Sequence, residues 1–366
     1  MNDEFLLKKL NERQQHNAFR RLSLPGGKTD FCSNDYLGIV HNGLIEKKLG
    51  ETATSYKHGS TGSRLLAGNY ALVEETEKML AAFHAAEAGL IFNSGYDANL
   101  GLLSCVPQRG DTIIYDYLSH ASLRDGIRLS FAQSFSFRHN DLEDLAKRLQ
   151  AATGTIFVVT ESVFSMDGDK APLTAISALC QQYGAHLIVD EAHGTGVVGG
   201  QGEGLVQQLN LQAACFARIH TFGKAVGCHG AIVLGSERLR NYLINFSRSF
   251  IYSTSLPEAS VAAIRCAYEL FAGMHAERAH LQQLISTFQQ AKIPYEKLVS
   301  DTPIQIVIIP GNDQVKKVAG ALQMSGLEVR AILYPTVPAG KERLRIVLHA
   351  FNTMNELQGV IEALRG

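Results

Sequence analysis

A lysine between two glycines is the residue of this sequence with the clearest capacity for covalent chemistry. Lys224 lies in residues 220–227 (HTFGKAVG), directly after the apolar run 215–219. This order predicts a strand followed by a tight turn, from which the amine can point into a cleft. Lysine condenses with aldehydes, and burial lowers its pKa so that a neutral, nucleophilic amine is accessible near neutral pH. Taken alone, the motif still favours a solvated lysine in a surface turn.

A second stretch upstream changes that interpretation. Asp190 follows the apolar residues 187–189 and precedes a turn at residues 191–194. The pattern predicts a central parallel strand whose carboxyl end carries Asp190 into the ligand crevice of an α/β sheet. A buried acid needs a positive partner, and a protonated pyridine nitrogen is one. Because an aldehyde-binding lysine and an acid at a pyridinium nitrogen are typical of pyridoxal phosphate (PLP) sites, Lys224 and Asp190 predict this cofactor.

The elements that must position these residues alternate between the strand period and the helical period, as in a doubly wound α/β domain. Short apolar strands are predicted at 90–92, 112–115, 155–160, 186–189, 217–221 and 231–234. A long helical region is predicted from 258 to about 290, and it is followed by strands at 304–309, 328–333 and 344–348 with helices at 313–324 and 355–364. We therefore expect a large domain at 41–260, a small α+β domain at 261–366, and a segment 1–40 that packs with the small domain.

Composition restricts the classes of partner. The chain has 366 residues, 46% of them hydrophobic, and a net charge of -1. This balance predicts neither nucleic-acid binding nor attachment to a membrane surface. Residues 1–15 are charged and no uncharged apolar run reaches spanning length, so neither export nor insertion is predicted. The six cysteines include no C-x-x-C pair, which favours a reducing cytoplasm, and no metal site is predicted.

Six motifs, in order, resemble those of the α-oxoamine synthase family of PLP-dependent enzymes. They are residues 33–38 (SNDYLG), 62–65 (GSRL), 164–169 (FSMDGD), 190–196 (DEAHGTG), 221–224 (TFGK) and 336–340 (TVPAG). No single motif would suffice, but the ordered set covers almost the whole chain. The resemblance implies the type I fold of PLP-dependent transferases, with a mainly parallel seven-stranded sheet flanked by helices and a smaller α+β domain.

The same resemblance implies a set of cofactor contacts. The backbone amides of residues 94–96, which begin a helix, match the position that holds the phosphate. Ser94, Gly95 and Tyr96 form that phosphate position, and His120 matches the imidazole that stacks on the ring. Ser165 and His193 match the groups near the phenolic oxygen of the ring. Thr221 matches a hydroxyl that binds the phosphate, and Thr254 matches a phosphate contact that reaches over from the other subunit. The last assignment implies a homodimer with shared active sites.

Substrate contacts follow from the resemblance as well. Arg345 resembles the arginine that binds the amino-acid carboxylate, and Asn34 matches an assisting residue. By strand alternation, Arg343 is expected to be the exposed arginine of that strand. Arg20 and Thr336 resemble contacts to the acyl substrate.

The implied reaction is a decarboxylative condensation of L-alanine with a pimeloyl thioester of coenzyme A or acyl carrier protein. In it, Lys224 is cofactor carrier and then base, with His120 and Asp190 completing the catalytic set. A sister reaction that uses glycine or serine with another acyl thioester remains open, because Tyr334 stands where the family often has proline. Residues 194–199 (GTGVVG) also match a dinucleotide-binding pattern, but a glycine-rich loop follows where a helix is needed, so a nicotinamide-dependent dehydrogenase is disfavoured.

Overall fold

The computed structural model describes residues 3–24, 26–51 and 54–366, and these form two compact units. Of these described residues, the larger unit contains those within 35–165 and 170–278, and the smaller contains those within 3–34, 166–169 and 279–366. The first boundary therefore lies after residue 34 instead of residue 40, and the last lies after residue 278 instead of residue 260. The N-terminal residues up to Asn34 group with the C-terminal part of the chain.

A seven-stranded sheet organises the larger unit, in the order β2-β8-β7-β6-β5-β3-β4. Its strands are β2 (Ala88–Phe92), β3 (Thr112–Asp116), β4 (Gln133–Phe137), β5 (Ile156–Glu161), β6 (His186–Asp190), β7 (Cys215–Thr221) and β8 (Ala231–Gly235). Strand β1 belongs to the smaller unit. Strands β3 to β7 run parallel, whereas β8 is antiparallel to both of its neighbours. The predicted mainly parallel α/β sheet is confirmed.

Helices cover this sheet and supply its core. They are α2 (Leu44–Gly50), α3 (Ala71–Phe83), α4 (Gly95–Cys105), α5 (Ala121–Leu129), α6 (Leu142–Ala151), α7 (Leu173–Tyr183), α8 (Leu205–Gln208), α9 (Glu237–Phe246), α10 (Arg248–Ile251) and α11 (Glu258–Phe271), together with the start of α12 (His275–Gln290). Several begin at side chains that bond the free N–H groups of the first turn, as Ser94, Asp141 and Ser236 do. Apolar side chains from β2, β5, β6, β7 and α4 pack into one buried cluster. The sheet edge that carries the loops is thus held by a rigid core.

The smaller unit contains two sheets. A four-stranded antiparallel sheet has the order β12-β13-β10-β9, and β1 pairs with β11 in parallel. Its elements are α1 (Leu7–Gln15), β1 (Thr29–Asp30), most of α12, β9 (Glu296–Lys297), β10 (Ile304–Ile308), α13 (Asn312–Met324), β11 (Leu327–Glu328), β12 (Arg330–Ile332), β13 (Arg343–Val347) and α14 (Met354–Arg365). Because β1 pairs with β11, the N-terminal segment is tied to this unit by backbone hydrogen bonds.

The structure differs from the pattern in several details. The helical region expected from 258 to about 290 consists of two helices, α11 and α12, separated at Gly273. Glycine favours a break, and the guanidinium of Arg278 donates to the carbonyl oxygens of Phe271 and Ala272 at the end of α11. The strand expected at 328–333 is divided into β11 and β12. Strand β4 escaped prediction because it is an edge strand with mostly exposed, partly polar residues. No helix among the described residues is long and apolar enough to cross a membrane.

Candidate active site

Chemically active side chains meet at one edge of the large sheet. The parallel strands β3, β5, β6 and β7 end at Asp116, Glu161, Asp190 and Thr221. Because parallel strands bring their carboxyl ends to the same edge, these four residues border one crevice. Lys224 follows β7 by three residues, in a turn with a backbone hydrogen bond from Gly227 to its carbonyl oxygen. The topology therefore gathers residues that are far apart in sequence.

Asp190 is held by donors on both of its oxygens. Asp190 as a whole residue is 4% exposed. Oδ2 accepts a hydrogen bond from Asn99 Nδ2 at 2.7 Å, and Oδ1 accepts one from the Ala192 N–H at 2.9 Å. Such donors stabilise the ionised form and fix the direction in which the carboxylate points. Asp190 can therefore act as a fixed anion at the end of β6.

A chain of hydrogen bonds connects this anion to His120, the residue that precedes α5. Asn99 Nδ2 also donates to Ser122 Oγ at 2.9 Å. Since Ser122 Oγ accepts there, its own proton is available for His120 Nδ1, which lies 2.8 Å away. The Ser122 N–H donates to the same nitrogen at 3.2 Å. Two donors on Nδ1 place the proton of a neutral imidazole on Nε2.

Electrostatic effects place Lys224 in the same neighbourhood as Asp190. Partial burial lowers the pKa of His120, the charge of Asp190 opposes that change, and the charge of Lys224 adds to it. Glu161 also senses both charges. Because the anion and the amine act on the same two groups, they share one environment. Asp190 and Lys224 therefore lie within electrostatic range of the same two groups, at the ends of the adjacent strands β6 and β7.

An anion site borders this cluster at the start of α4. Ser94 precedes the helix, and its Oγ accepts the Asp97 N–H, so the backbone N–H groups of Gly95 and Tyr96 lead the first turn. Thr221 lies against them: a Cβ added at Gly95 would come within 2.4 Å of Thr221 Cγ2. Thr221 Oγ1 is buried and has no hydrogen-bond partner among the described residues. Amide groups, a helix N-terminus and a spare hydroxyl together suit a phosphate.

His193 and Ser165 occupy the same unit. His193 is 5% exposed, and its Nδ1 lies 2.6 Å from the hydroxyl oxygen of the fully buried Tyr36. Sequence analysis did not select Tyr36, although it lies within the motif at 33–38. Ser165 is half-buried at the end of the segment that follows β5. The Tyr36 hydroxyl therefore fixes the ring that was predicted to face the cofactor.

Thr254 is exposed. Its backbone carbonyl oxygen accepts a hydrogen bond from Asn93 Nδ2 at 2.7 Å, directly before Ser94. Ser255 is bound to the glycine-rich loop through Gly62 and Gly68. The segment is therefore held in place while the Thr254 side chain stays available.

In the smaller unit, Arg345 contacts Asn34. Arg345 Nη2 donates to Asn34 Oδ1 at 3.0 Å. The expectation that Arg343 is the exposed arginine of this strand was wrong. Arg343 is 5% exposed, and its guanidinium pairs with Asp167 and donates to the Met166 carbonyl oxygen at 2.9 Å. Because residues two apart lie on the same face of a strand, alternation could not separate the two arginines, and the burial of Arg343 was decided by its contacts with Asp167 and Met166.

Arg20 and Thr336 also meet in the smaller unit. Arg20 Nη2 donates to Thr336 Oγ1 at 3.2 Å. Both line a cavity of about 550 Å³ that also has apolar walls and two further arginines. The other lining residues are Arg13, Ala18, Phe19, Arg21, Leu22, Ala331, Ile332, Leu333 and Tyr334. A cavity of this composition suits an apolar chain that ends in a negative charge.

The dinucleotide-binding alternative lacks its structural context. Residues 194–204 form turns, and the next helix, α8, begins only at Leu205 and has four residues. A pyrophosphate site needs the helix to begin at the glycines. The glycine pattern therefore does not define a nicotinamide site here.

The chain belongs to the aminotransferase class I and II family, whose model matches residues 27–364. The resemblance to α-oxoamine synthases within that family is confirmed by individual relatives. The 8-amino-7-oxononanoate synthase of Emericella nidulans is 42% identical, over 97% of this chain and 93% of its own length.

Two solved structures extend the comparison. A serine palmitoyltransferase from S. paucimobilis with bound PLP has a TM-score of 0.87 and 27% identity, covering 99% of this chain and 96% of its own. The 8-amino-7-oxononanoate synthase of Francisella tularensis has a TM-score of 0.77 and 28% identity, covering 92% of this chain and 97% of its own. The predicted fold class is therefore confirmed.

Proposed function

We propose that this protein is a PLP-dependent acyltransferase that condenses L-alanine with a pimeloyl thioester. The products are 8-amino-7-oxononanoate, carbon dioxide and the free thiol of coenzyme A or acyl carrier protein, a step of biotin biosynthesis. The observation that carries the proposal is geometric: Asp190 ends β6, and Lys224 follows the end of the neighbouring parallel strand β7 by three residues. Identity of 42% to a curated enzyme with this activity supports the choice of reaction.

The residues at the sheet edge fit PLP. The amides of Gly95 and Tyr96 and the spare hydroxyl of Thr221 would hold its phosphate. Asp190 would pair with its pyridine nitrogen, and the imidazole of His120 would lie on the ring. Ser165 and His193 would bond its phenolic oxygen. The buried Thr221 hydroxyl supports this fit, because it has no hydrogen-bond partner among the described residues and a phosphate oxygen would supply one.

Glycine at position 95 is expected to be necessary for phosphate binding. In Gly95→Ala, the new Cβ would overlap Thr221 Cγ2, so the turn or the threonine must move. We expect the Kd for PLP to rise about tenfold or more, measured by fluorescence titration of the cofactor-free protein. Gly359→Ala is the matched control, because no atom lies within 4 Å of its added Cβ. An unchanged Kd in Gly95→Ala would contradict this assignment of the phosphate.

Catalysis would use the charges of the chain in a fixed order. When bound, PLP supplies a protonated ring that spreads the negative charge developing at the α-carbon of the amino acid. Asp190 would keep that ring protonated. Lys224 would first hold the cofactor through its aldehyde carbon, and its released amine would then remove the α-proton. The amine would later return this proton and rebind the cofactor, so that the product leaves.

Arg345 and Asn34 would bind the carboxylate of alanine. A planar guanidinium matches a carboxylate through two parallel hydrogen bonds, and Asn34 already contacts Arg345 at 3.0 Å. Arg20 and Thr336 would contact the pimeloyl chain, because the cavity that they line combines apolar walls with arginines. The distal carboxylate of a pimeloyl group needs such a positive partner.

The two arginines of β13 are expected to respond differently to truncation. Arg345→Ala should raise the KM for alanine about 10- to 100-fold, because a charge-assisted contact to the carboxylate is lost. Arg343→Ala should instead lower the unfolding free energy by about 3–5 kcal/mol, since it leaves Asp167 without its buried partner. Steady-state kinetics and thermal unfolding of both variants separate the roles. A stable Arg345→Ala protein with an unchanged KM would contradict carboxylate binding.

The assembly and the location are also part of the proposal. We propose a homodimer in which the exposed Thr254 of one subunit contacts the phosphate at the other. We propose a cytoplasmic location, and the six free cysteines support a reducing compartment.

A sister reaction is the alternative function. The serine palmitoyltransferase fold superposes with the higher TM-score, 0.87 against 0.77, which favours a family member using serine or glycine. Candidates are 5-aminolevulinate synthase, glycine C-acetyltransferase and a long-chain ketone or sphingoid base synthase. The sequence identity favours alanine, since the curated relative at 42% identity is an 8-amino-7-oxononanoate synthase.

Substrate choice separates these functions. Spectral titration with alanine, glycine and serine, followed by turnover with pimeloyl and succinyl thioesters, should give the highest kcat/KM for alanine with pimeloyl. A preference for glycine or serine would transfer the protein to the sister reaction while leaving the cofactor chemistry intact.

A further inference from the structure

Glu161 is a buried acid at the centre of the site to which neither the motifs nor the proposed reaction gives a role. It is the last residue of β5 and 3% exposed. In the register of the parallel pair, Glu161 lies directly beside Asp190 at the end of β6. Two carboxyl groups at neighbouring strand ends in a buried site cannot both ionise without a large cost.

The contacts of the two acids decide which one carries the charge. Asp190 receives donors on both oxygens, from Asn99 Nδ2 and the Ala192 N–H. Within the described part of the chain, Glu161 receives one, from the His120 N–H to Oε1 at 2.6 Å. Carboxylates are stabilised by each donor that they accept, so the negative charge belongs on Asp190. A neutral carboxyl group can still accept the His120 N–H through its carbonyl oxygen.

We propose that Glu161 is a positioning residue that works as a neutral carboxylic acid. Its Oε1 fixes the backbone of His120 at the start of α5, and its retained proton leaves the negative charge of this strand pair on Asp190. The inference rests on the proposed function in that His120 and Asp190 are the residues that would hold the cofactor ring. Ionisation of Glu161 would add a second negative charge and weaken the distinction between the two acids.

The electrostatic surroundings agree with this geometry. Burial first, and then the negative charge of Asp190 on β6, raise the pKa of Glu161 from its ordinary value, to about 8 in net effect. The His120 N–H from α5 and the charge of Lys224 after β7 oppose the rise, whereas Asp116 at the end of β3 adds to it. These groups face Glu161 from every element packed around the strand end. Glu161 therefore keeps its proton at neutral pH.

Glu161→Gln separates the charge from the contact, because glutamine is neutral at every pH and still accepts the His120 N–H. We expect the PLP-loaded Glu161→Gln protein to keep kcat/KM at pH 7 within about twofold of wild type. In Glu161→Ala, which loses the hydrogen-bond acceptor for the His120 N–H, kcat/KM at pH 7 should fall about tenfold or more. A Gln variant as impaired as the Ala variant would overturn the proposal, since it would mean that the carboxylate charge is needed.

Two measurements without substrate test the protonation itself. The infrared C=O band of a protonated carboxyl group should be present in wild type at pH 6, disappear as pH rises through about 8, and be missing in Glu161→Gln. Because the pKa is higher in the folded protein than its ordinary value of 4.5, wild type should lose stability relative to the Gln variant as pH rises from 4.5 to about 8. Above that range, the difference in unfolding temperature should stay constant.

Glu143→Gln, an exposed acid on α6, is the matched control and should show neither effect. Absence of the infrared band at pH 6, or a stability difference that does not change with pH, would overturn the proposal even if Glu161→Ala fails to fold. These spectra and unfolding curves do not depend on turnover. Failure of the proposed reaction is therefore distinguishable from failure of the role of Glu161.

Discussion

Lys224→Ala is expected to abolish turnover, with a loss of about 10⁴-fold or more. The amine would serve both as the group that holds PLP and as the base that removes the α-proton, so its removal takes away two functions at once. Borohydride reduction of the PLP-loaded wild-type protein should attach the cofactor covalently to the peptide that contains Lys224. The same treatment of Lys224→Ala should attach none, as mass spectrometry of the digested protein will record.

An exposed lysine provides the control. Lys147 lies on α6 in the same unit, and Lys147→Ala should keep the activity and the covalent labelling of wild type. Labelling of another lysine in wild type, or turnover by Lys224→Ala near the wild-type rate, would contradict the assignment. Such a result would also remove the basis of the proposed function.

Asp190→Asn is expected to lower kcat about 10³-fold while leaving the protein folded. Asparagine has the same shape, and its carbonyl oxygen can still accept either the Ala192 N–H or the Asn99 amide. It has no negative charge, however, so the pyridine nitrogen would lose its proton and the ring would accept less charge from the α-carbon. Single-turnover measurement of α-proton exchange with solvent reports this step directly.

A cofactor analogue gives the decisive comparison for Asp190. PLP methylated on the pyridine nitrogen is positively charged without a proton. The Asp190→Asn variant loaded with this analogue should therefore react at least about tenfold faster than the same variant loaded with PLP. Wild type loaded with the same analogue shows how much the methyl group itself costs. If the analogue binds to Asp190→Asn and the rate does not rise, Asp190 acts through something other than the charge of the ring.

The local pattern of apolar residues was sufficient to predict the strands that carry Asp190 and lead to Lys224. Apolar runs that end at Asp190 and before Lys224 predicted β6 and β7, because a strand buried on both faces needs a continuous apolar sequence. The same reasoning applied to residues 155–160 predicted β5, and the acid that ends it, Glu161, carries the same signal as Asp190. Glu161 was nevertheless overlooked, since its function depends on a neighbour that the pattern does not name.

Contacts between distant residues could not be predicted in this way. Asn99 and Asp190 are 91 positions apart, and Tyr36 and His193 are 157 apart. Arg343 was assigned to the surface by alternation along β13, although residues 343 and 345 are two apart and lie on the same face of the strand. Asp167, the partner of the buried Arg343, comes from a segment 176 positions away, and a period of two residues says nothing about what covers a given face.

By itself, the sequence determined the parallel α/β sheet, the order of the motifs and the residues at the strand ends. These follow from chain-local chemistry: apolar runs, turn-forming glycines and the reactivity of single side chains. Only the tertiary structure decided which of two adjacent acids is held as the anion, which nitrogen of His120 bears the proton, and which arginine of β13 is buried. Those properties depend on donors, charges and burial that distant segments supply once the chain has folded.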